Sequence, residues 1–321
     1  MQISLADIEA AAGIVYAEMA PTPQLNWPLL SERLGTQVWV KHENHSPVGA
    51  FKIRGGLVYF ADLMASGESV QGVISATRGN HGQSVGYAAR HYGIPATIVV
   101  PKGNSIEKNA AMQAQGVTLI EYGEDFQAAR EYAIQLADER GLLMVPSMHP
   151  LLVAGVATYS LELFRAVPDI DVVYVPIGLG SGICGMIAAR DALGLSTQIV
   201  GVVSAHATAY ADSFNAGHLL ESPVSTLLAD GMACRTPDPL ALEVILARVD
   251  HIVAVTDDEV AAAMGVIFEC THNVCEGAGA AAVAAALQER AANIGRRVAV
   301  VASGGNVDRS VFAEILARPS Q

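Results

Sequence analysis

Residues Asp171 to Gly185 read DVVYVPIGLGSGICG: a run of β-branched and aromatic residues, a glycine-rich turn, and then the helix-length segment MIAARDALG. A strand with no polar alternation is buried on both faces, as in parallel sheets covered by helices. The same pattern recurs along the chain. TQVWVK, GVISAT, ATIVVP, VTLIEYG, LLMVPS, QIVGVVS, HIVAVT and RVAVVASGG are further strand-like runs. Helix-length segments such as GQSVGYAARHYG, FQAAREYAIQLADERG and DDEVAAAMGVIFECTHN lie between most of them. The alternation predicts an α/β fold with mostly parallel sheets flanked by helices.

In open parallel sheets, ligands bind in the crevice outside the carboxyl ends of the strands. Four of the runs lead there into polar or glycine-rich turns: RGNHGQ, GLGSGICG, SAHA and SGGN. A tight connection explains any one of them, but four at equivalent places point to one shared site. Gly178, Gly180, Gly182 and Gly185 precede a helix, so bare amides and the helix start can cradle a phosphate. Residues 180–185 also match GxGxxG, which in a dinucleotide site wants an acid at the end of the next strand. That strand ends in Ser204, Ala205 and His206. A simple phosphate is therefore favoured over a nicotinamide cofactor, and an oxidoreductase is the lesser alternative.

The chain holds 321 residues, 51% of them hydrophobic, enough for a large core and two domains. Nineteen basic against 32 acidic residues give a net charge of −13, which argues against a nucleic-acid partner. Cys184, Cys234, Cys270 and Cys275 form no CxxC pair, so free thiols in a cytoplasmic setting are expected. The amino terminus reads as an amphipathic helix and not a signal peptide. No apolar run approaches the roughly 20 residues of a membrane span.

Only four lysines occur, and Lys52 stands apart in AFKIRGG, flanked by phenylalanine and glycine. A lysine in a dry pocket loses its proton readily and becomes an amine nucleophile. Lys102 and Lys108 lie in the polar stretch PKGNSIEKNAA and read as solvated. HENH (His42 to His45) lacks the HExxH metal spacing and reads as a polar strand edge. His206 is open to two readings, a substrate contact or a loop histidine. Arg78 is either a carboxylate binder or one half of a salt bridge.

A reactive amine, a phosphate cup and polar strand-end loops suggest pyridoxal 5'-phosphate. The chain resembles the fold-type II pyridoxal enzymes of the threonine/serine dehydratase and serine racemase group. KHEN, AFKIRGG, RGNHGQ, GLGSGICG, ADGMA, CEGAGAAAVAA and SGGN carry the resemblance, in the family's order, over nearly the whole chain. It implies a two-domain, tryptophan synthase β-like architecture. Residues 1–66 and 150–321 would form a large cofactor-binding domain, and 67–149 a small domain closing over the substrate.

The resemblance also implies residue roles. Lys52 matches the lysine that joins the cofactor and removes the Cα proton, and Phe51 the residue beside the ring. Asn80 matches the partner of the cofactor's phenolic oxygen; Thr77, Arg78, Asn80 and His81 fall where the substrate carboxylate is held. Gly178, Gly180, Ser181, Gly182 and Ile183 correspond to the phosphate loop. Glu276 matches a glutamate near the ring, and Ser303 the pyridine-nitrogen partner. The activity implied is loss of ammonia from a 3-hydroxy amino acid, L-threonine or L-serine by default, giving a 2-oxo acid in a homodimeric enzyme. Arg78 leaves room for 3-hydroxyaspartate or phenylserine.

Three departures stand out. Arg78 occupies the place of the racemases' second acid/base, and an arginine keeps its protons. Ser204 and Tyr210 replace the acidic ligands of the family's divalent-metal site, so no metal is expected. The run LLVAGVATYS after Pro150 is shorter than its counterpart. The chain also stops soon after SGGN, which argues against a carboxy-terminal regulatory domain.

Overall fold

The computed structural model describes residues 1–318. Ten β-strands are present among them: β1 (Gln24–Asn26), β2 (Gln37–His42), β3 (Val73–Ala76), β4 (Ala96–Val100), β5 (Thr118–Glu121), β6 (Leu143–Met144), β7 (Val172–Pro176), β8 (Gln198–Ser204), β9 (His251–Val255) and β10 (Arg297–Ala302). They form a six-stranded sheet of order β1-β2-β10-β7-β8-β9 and a four-stranded sheet of order β5-β4-β3-β6. Every strand pairing is parallel except β1 with β2. The result is an α/β protein with two parallel-sheet units flanked by helices.

The chain lays down β1 and β2, leaves through helix Lys52–Ala65 to build the small sheet, and returns through helix Pro150–Ala166. β10 then inserts between β2 and β7. Strand apolarity matches this placement: Val172, Val173, Tyr174 and Val175 of β7 are each at most 1% exposed. The alanine-rich helix Gly277–Gln288 is buried along most of its length, its small side chains letting its backbone lie close to the sheet. The predicted N-terminal helix is Leu5–Glu18, opened by a capping box between Ser4 and Asp7. Among the described residues no helix is long and apolar enough to cross a membrane.

The HENH stretch departs from its reading as a polar strand edge. β2 is interior to the sheet, and Glu43 is fully buried. The charge is tolerated because Arg54 donates to Glu43 at 2.8 and 3.1 Å and to Glu162 at 2.6 and 3.0 Å. Lys41, also fully buried, donates to Glu162 at 2.5 Å. Two cations and two anions thus neutralise one another below the first turns of helix Lys52–Ala65.

Candidate active site

Lys52 opens helix Lys52–Ala65 directly beside the carboxyl end of β10. The amide of Phe51 donates to the carbonyl of Ser303 at 3.1 Å, and Ala50 bridges Gly304. The amine donates to Ser181 Oγ at 2.9 Å and sits 4.9 Å from the centroid of the Phe51 ring. Burial lowers its pKa to about 8. Lys41, Lys102 and Lys108 each pair with a carboxylate, whereas Lys52 has no such partner among the described residues. What singles out Lys52 is therefore the missing counter-charge and not burial as such.

Ser181 begins helix Ser181–Ala192, which has no side-chain cap, so its first amides face the turn Gly178–Gly180. Gly180 has φ of 100°, and a Cβ there would lie 2.4 Å from the Ala241 Cβ. Tyr210 fastens the turn from behind, its hydroxyl donating to Leu179 O at 3.0 Å. Tyr159, from the short run after Pro150, donates to Gly182 O at 3.2 Å and meets the Phe51 ring edge to face. Ile183 points into the core behind the turn.

Across from the turn, Asn80 and Glu276 meet. Asn80 Nδ2 donates to Glu276 Oε1 at 2.5 Å, while Asn80 Oδ1 accepts from Asn306 at 2.9 Å. Gly304 is required beside them, since a Cβ there would stand 2.3 Å from Glu276 Oε1. Burial raises the pKa of Glu276, with Lys108 opposing and Asp230 adding to the rise. Ser303 Oγ reaches Ala278 O only at 3.4 Å, which leaves its hydroxyl free for a better partner.

Thr77 Oγ1 accepts from the Gly79 amide at 3.0 Å and shapes the turn that carries Arg78. Arg78 Nε is buried without a hydrogen-bond partner, and no carboxylate pairs with Arg78 among the described residues. His81 Nε2 is likewise buried and unpartnered. Burial and the neighbouring Lys52 charge bring its pKa down to about 3, so the ring is neutral.

The turns after β3, β7 and β10 thus converge on Lys52 and Glu276. The fourth, after β8, folds on itself: Ser204 Oγ accepts from the His206 amide at 3.1 Å. Lys108 is a correction to its reading as solvated. It is 6% exposed and donates to Asp230 at 2.7 and 3.0 Å, with Glu276 Oε2 2.8 Å away. Burial opposes its charge, but Glu276 and Asp230 outweigh it and hold its pKa above the ordinary lysine value. Asp230 and Asn306 lie inside the motifs ADGMA and SGGN but carry no role in the sequence reading, and Ser84, which donates to Lys52 O at 2.7 Å, lies in no quoted motif. Asp230 lies inside ADGMA, and that acid in a glycine-containing turn was the available signal.

A family model described as pyridoxal-phosphate dependent enzyme matches residues 15–304. The chain is 35% identical over 315 residues to the L-threonine ammonia-lyase of Thermotoga maritima, covering 98% of this chain and 78% of that protein. It is 31% identical over 311 residues to the L-threo-3-hydroxyaspartate ammonia-lyase of Saccharomyces cerevisiae, covering 97% and 95%. The solved structure of maize serine racemase matches with a TM-score of 0.91 at 28% identity, over 98% of this chain and 97% of that one. With Lys52, the glycine turn, Glu276 and Ser303 all inside the matched span, the chain belongs to the pyridoxal-phosphate-dependent enzymes of fold type II.

Proposed function

We infer that the protein is a pyridoxal-phosphate-dependent ammonia-lyase that converts a 3-hydroxy amino acid, L-threonine or L-serine by default, to a 2-oxo acid and ammonia. The observation that carries this reading is Lys52, an amine with a pKa near 8 and no counter-ion among the described residues, set between an uncapped helix start and the weakly held Ser303 hydroxyl. The Thermotoga relative's name supports the same activity. Release of ammonia from a panel of 3-hydroxy amino acids tests it; no release from any member refutes it.

The residues fit the cofactor. An uncapped helix start suits its phosphate, and unpartnered buried atoms on Arg78 and His81 await a polar ligand. When bound, pyridoxal phosphate supplies the electron sink for the pair left as the Cα–H bond breaks. Lys52, placed on one side and lowered in pKa, takes that proton. Gly178, Gly180, Ser181, Gly182 and Ile183 hold the phosphate, and Phe51 packs beside the ring. Ser303 offers a neutral hydroxyl to the ring nitrogen, which favours expulsion of the β-hydroxyl. Asn80 and Glu276 fix the opposite edge. Thr77, Arg78 and His81, from the small domain of residues 67–149, bind the substrate carboxylate. A homodimer is part of the same reading and is tested by light scattering. Four unpaired cysteines, three of them buried, support a reducing, cytoplasmic setting.

Arg78 favours a second reading of the substrate. With no carboxylate paired to it among the described residues, its guanidinium suits a second acidic group, as in 3-hydroxyaspartate, the substrate class named for the yeast relative. Arg78→Ala should lower kcat/KM by about ten- to a hundredfold while cofactor stays bound, as a charged hydrogen bond is worth about 1.5–3 kcal/mol. A guanidinium delivers no proton at working pH, so L-serine should yield pyruvate and ammonia without D-serine. Substantial D-isomer on chiral analysis overturns that assignment.

Ser204 and Tyr210 leave no acidic ligand pair after β8, and Tyr210 is committed to Leu179. Hard cations need several oxygen ligands, usually with carboxylates among them. Chelation should therefore leave turnover unchanged; restoration by added Mg²⁺ after a chelator-induced loss disproves this.

A further inference from the structure

Ser105 to Lys108 fasten the small-sheet unit to the large one through a run of contacts. Ser105 Oγ donates to Asp308 Oδ1 at 2.5 Å, and the Glu107 amide donates to the same oxygen at 3.2 Å. Glu107 Oε1 in return accepts from the Arg309 amide at 2.9 Å. Helices Ile106–Ala114 and Arg309–Leu316 thus bind each other's amino-terminal amides with their own side chains. Lys108 then spans the gap to Asp230 and Glu276. Glu276 consequently has one oxygen facing Lys108 and the other facing Asn80, both residues of the small-sheet unit.

We propose that Lys108 is a positioning residue: seating of residues 105–108 on the large unit orients the Glu276 carboxylate and, through it, the Asn80 amide, so that the site is complete only when the two units are closed. This rests on the placement of Asn80 and Glu276 at the cofactor. The charges facing the cluster are Lys108, Asp230 and Glu276, with the buried Cys275 thiol next in sequence, its pKa pushed up to about 12 mainly by burial. Without Lys108, the Asp230 and Glu276 carboxylates are left with no cation between them. Glu276 then takes up a proton or turns away, and in either case its grip on Asn80 changes. A residue that merely filled space would leave that link untouched.

The test uses holoenzyme carrying Lys108→Met, Lys108→Arg or Asp230→Asn. Hydrogen exchange at the Glu107 and Arg309 amides reports the clasp, and the visible absorbance band of the bound cofactor reports the Asn80 edge. Lys108→Met should exchange roughly tenfold faster at both amides, shift the band, and lower kcat/KM about tenfold or more. Lys108→Arg should recover most of the exchange protection and the band. Asp230→Asn, whose side chain is partly exposed and whose loss endangers folding less, should also quicken exchange at both amides and shift the band, the band in the opposite sense because losing Asp230 favours the Glu276 carboxylate. An unchanged band and unchanged exchange in Lys108→Met overturns the proposal even if activity falls. If that variant does not fold, the same null result in Asp230→Asn overturns it. Wild-type protein that binds cofactor but releases no ammonia sinks the proposed function instead, and the band and exchange comparisons still decide this one.

Discussion

Lys52→Ala is expected to abolish covalent capture of pyridoxal phosphate and to cut turnover at least about a thousandfold, the scale of a lost nucleophile and general base. Phe51, Ser181 and the glycine turn remain in place, so the loss isolates the amine. Lys102→Ala is the appropriate control, because its side chain is exposed and pairs only with Glu124. Borohydride reduction of wild type followed by peptide mapping should label Lys52; a label on Lys41, Lys102 or Lys108 sinks the assignment. The lowered pKa adds a pH dependence. Attack requires the neutral amine, so capture by cofactor-free protein should quicken as the pH rises and level off above about 8. A rate still climbing toward 10.5, the ordinary lysine value, means the amine is not desolvated.

The buried ion cluster carries the largest expected effect on stability. Glu162→Ala removes one of two anions and leaves Lys41 and Arg54 with Glu43 alone. An uncompensated buried charge costs about 3–5 kcal/mol. Denaturant unfolding of holoenzyme measures it, and a change below about 1 kcal/mol, the range of exposed pairs, contradicts it. Glu124→Ala should shift nothing measurable. Burial tends to raise the pKa of Glu162, yet Arg54 and Lys41 together hold it below the usual carboxylate value. Its folded pKa is depressed, so its contribution is present above about pH 4.5, where the unfolded carboxyl is ionised, and fades as the pH falls through the folded value. The acid limb of a stability profile should therefore flatten in Glu162→Ala.

Much of the fold was legible because parallel strands must be apolar on both faces. Nine strand-like runs all became strands, whereas β1, with the three residues QLN, has no apolar run to announce it. The amine and the glycine turn were legible for a similar reason: their chemistry is local. Lys108 was not. Its neighbours Asn104, Ser105, Glu107 and Asn109 are polar, and the carboxylate that buries it, Asp230, lies 122 positions along the chain. Lys41 escaped notice in the same way, since Glu162 is 121 positions away. Pairing of buried charges across such distances is a property of topology, and no local pattern encodes it. Arg78 is the converse case. Its residue type raises the question of a partner, and only the three-dimensional arrangement shows that no carboxylate pairs with it among the described residues.

β10 pairs with both β2 and β7, though it is made after either of them. During synthesis, a chain that has passed β9 but not β10 carries two unsatisfied sheet edges where the middle of the large sheet belongs. The small sheet meanwhile has all four of its strands and is free to fold first. Phe51 at that stage has no Ser303 carbonyl to bind, and Ala50 has no Gly304. The dry seat of Lys52 is therefore among the last things built. A half-made chain offers the aldehyde only an ordinary, protonated lysine, so capture of the vitamin on a ribosome-bound intermediate is disfavoured and its arrival coincides with the end of folding.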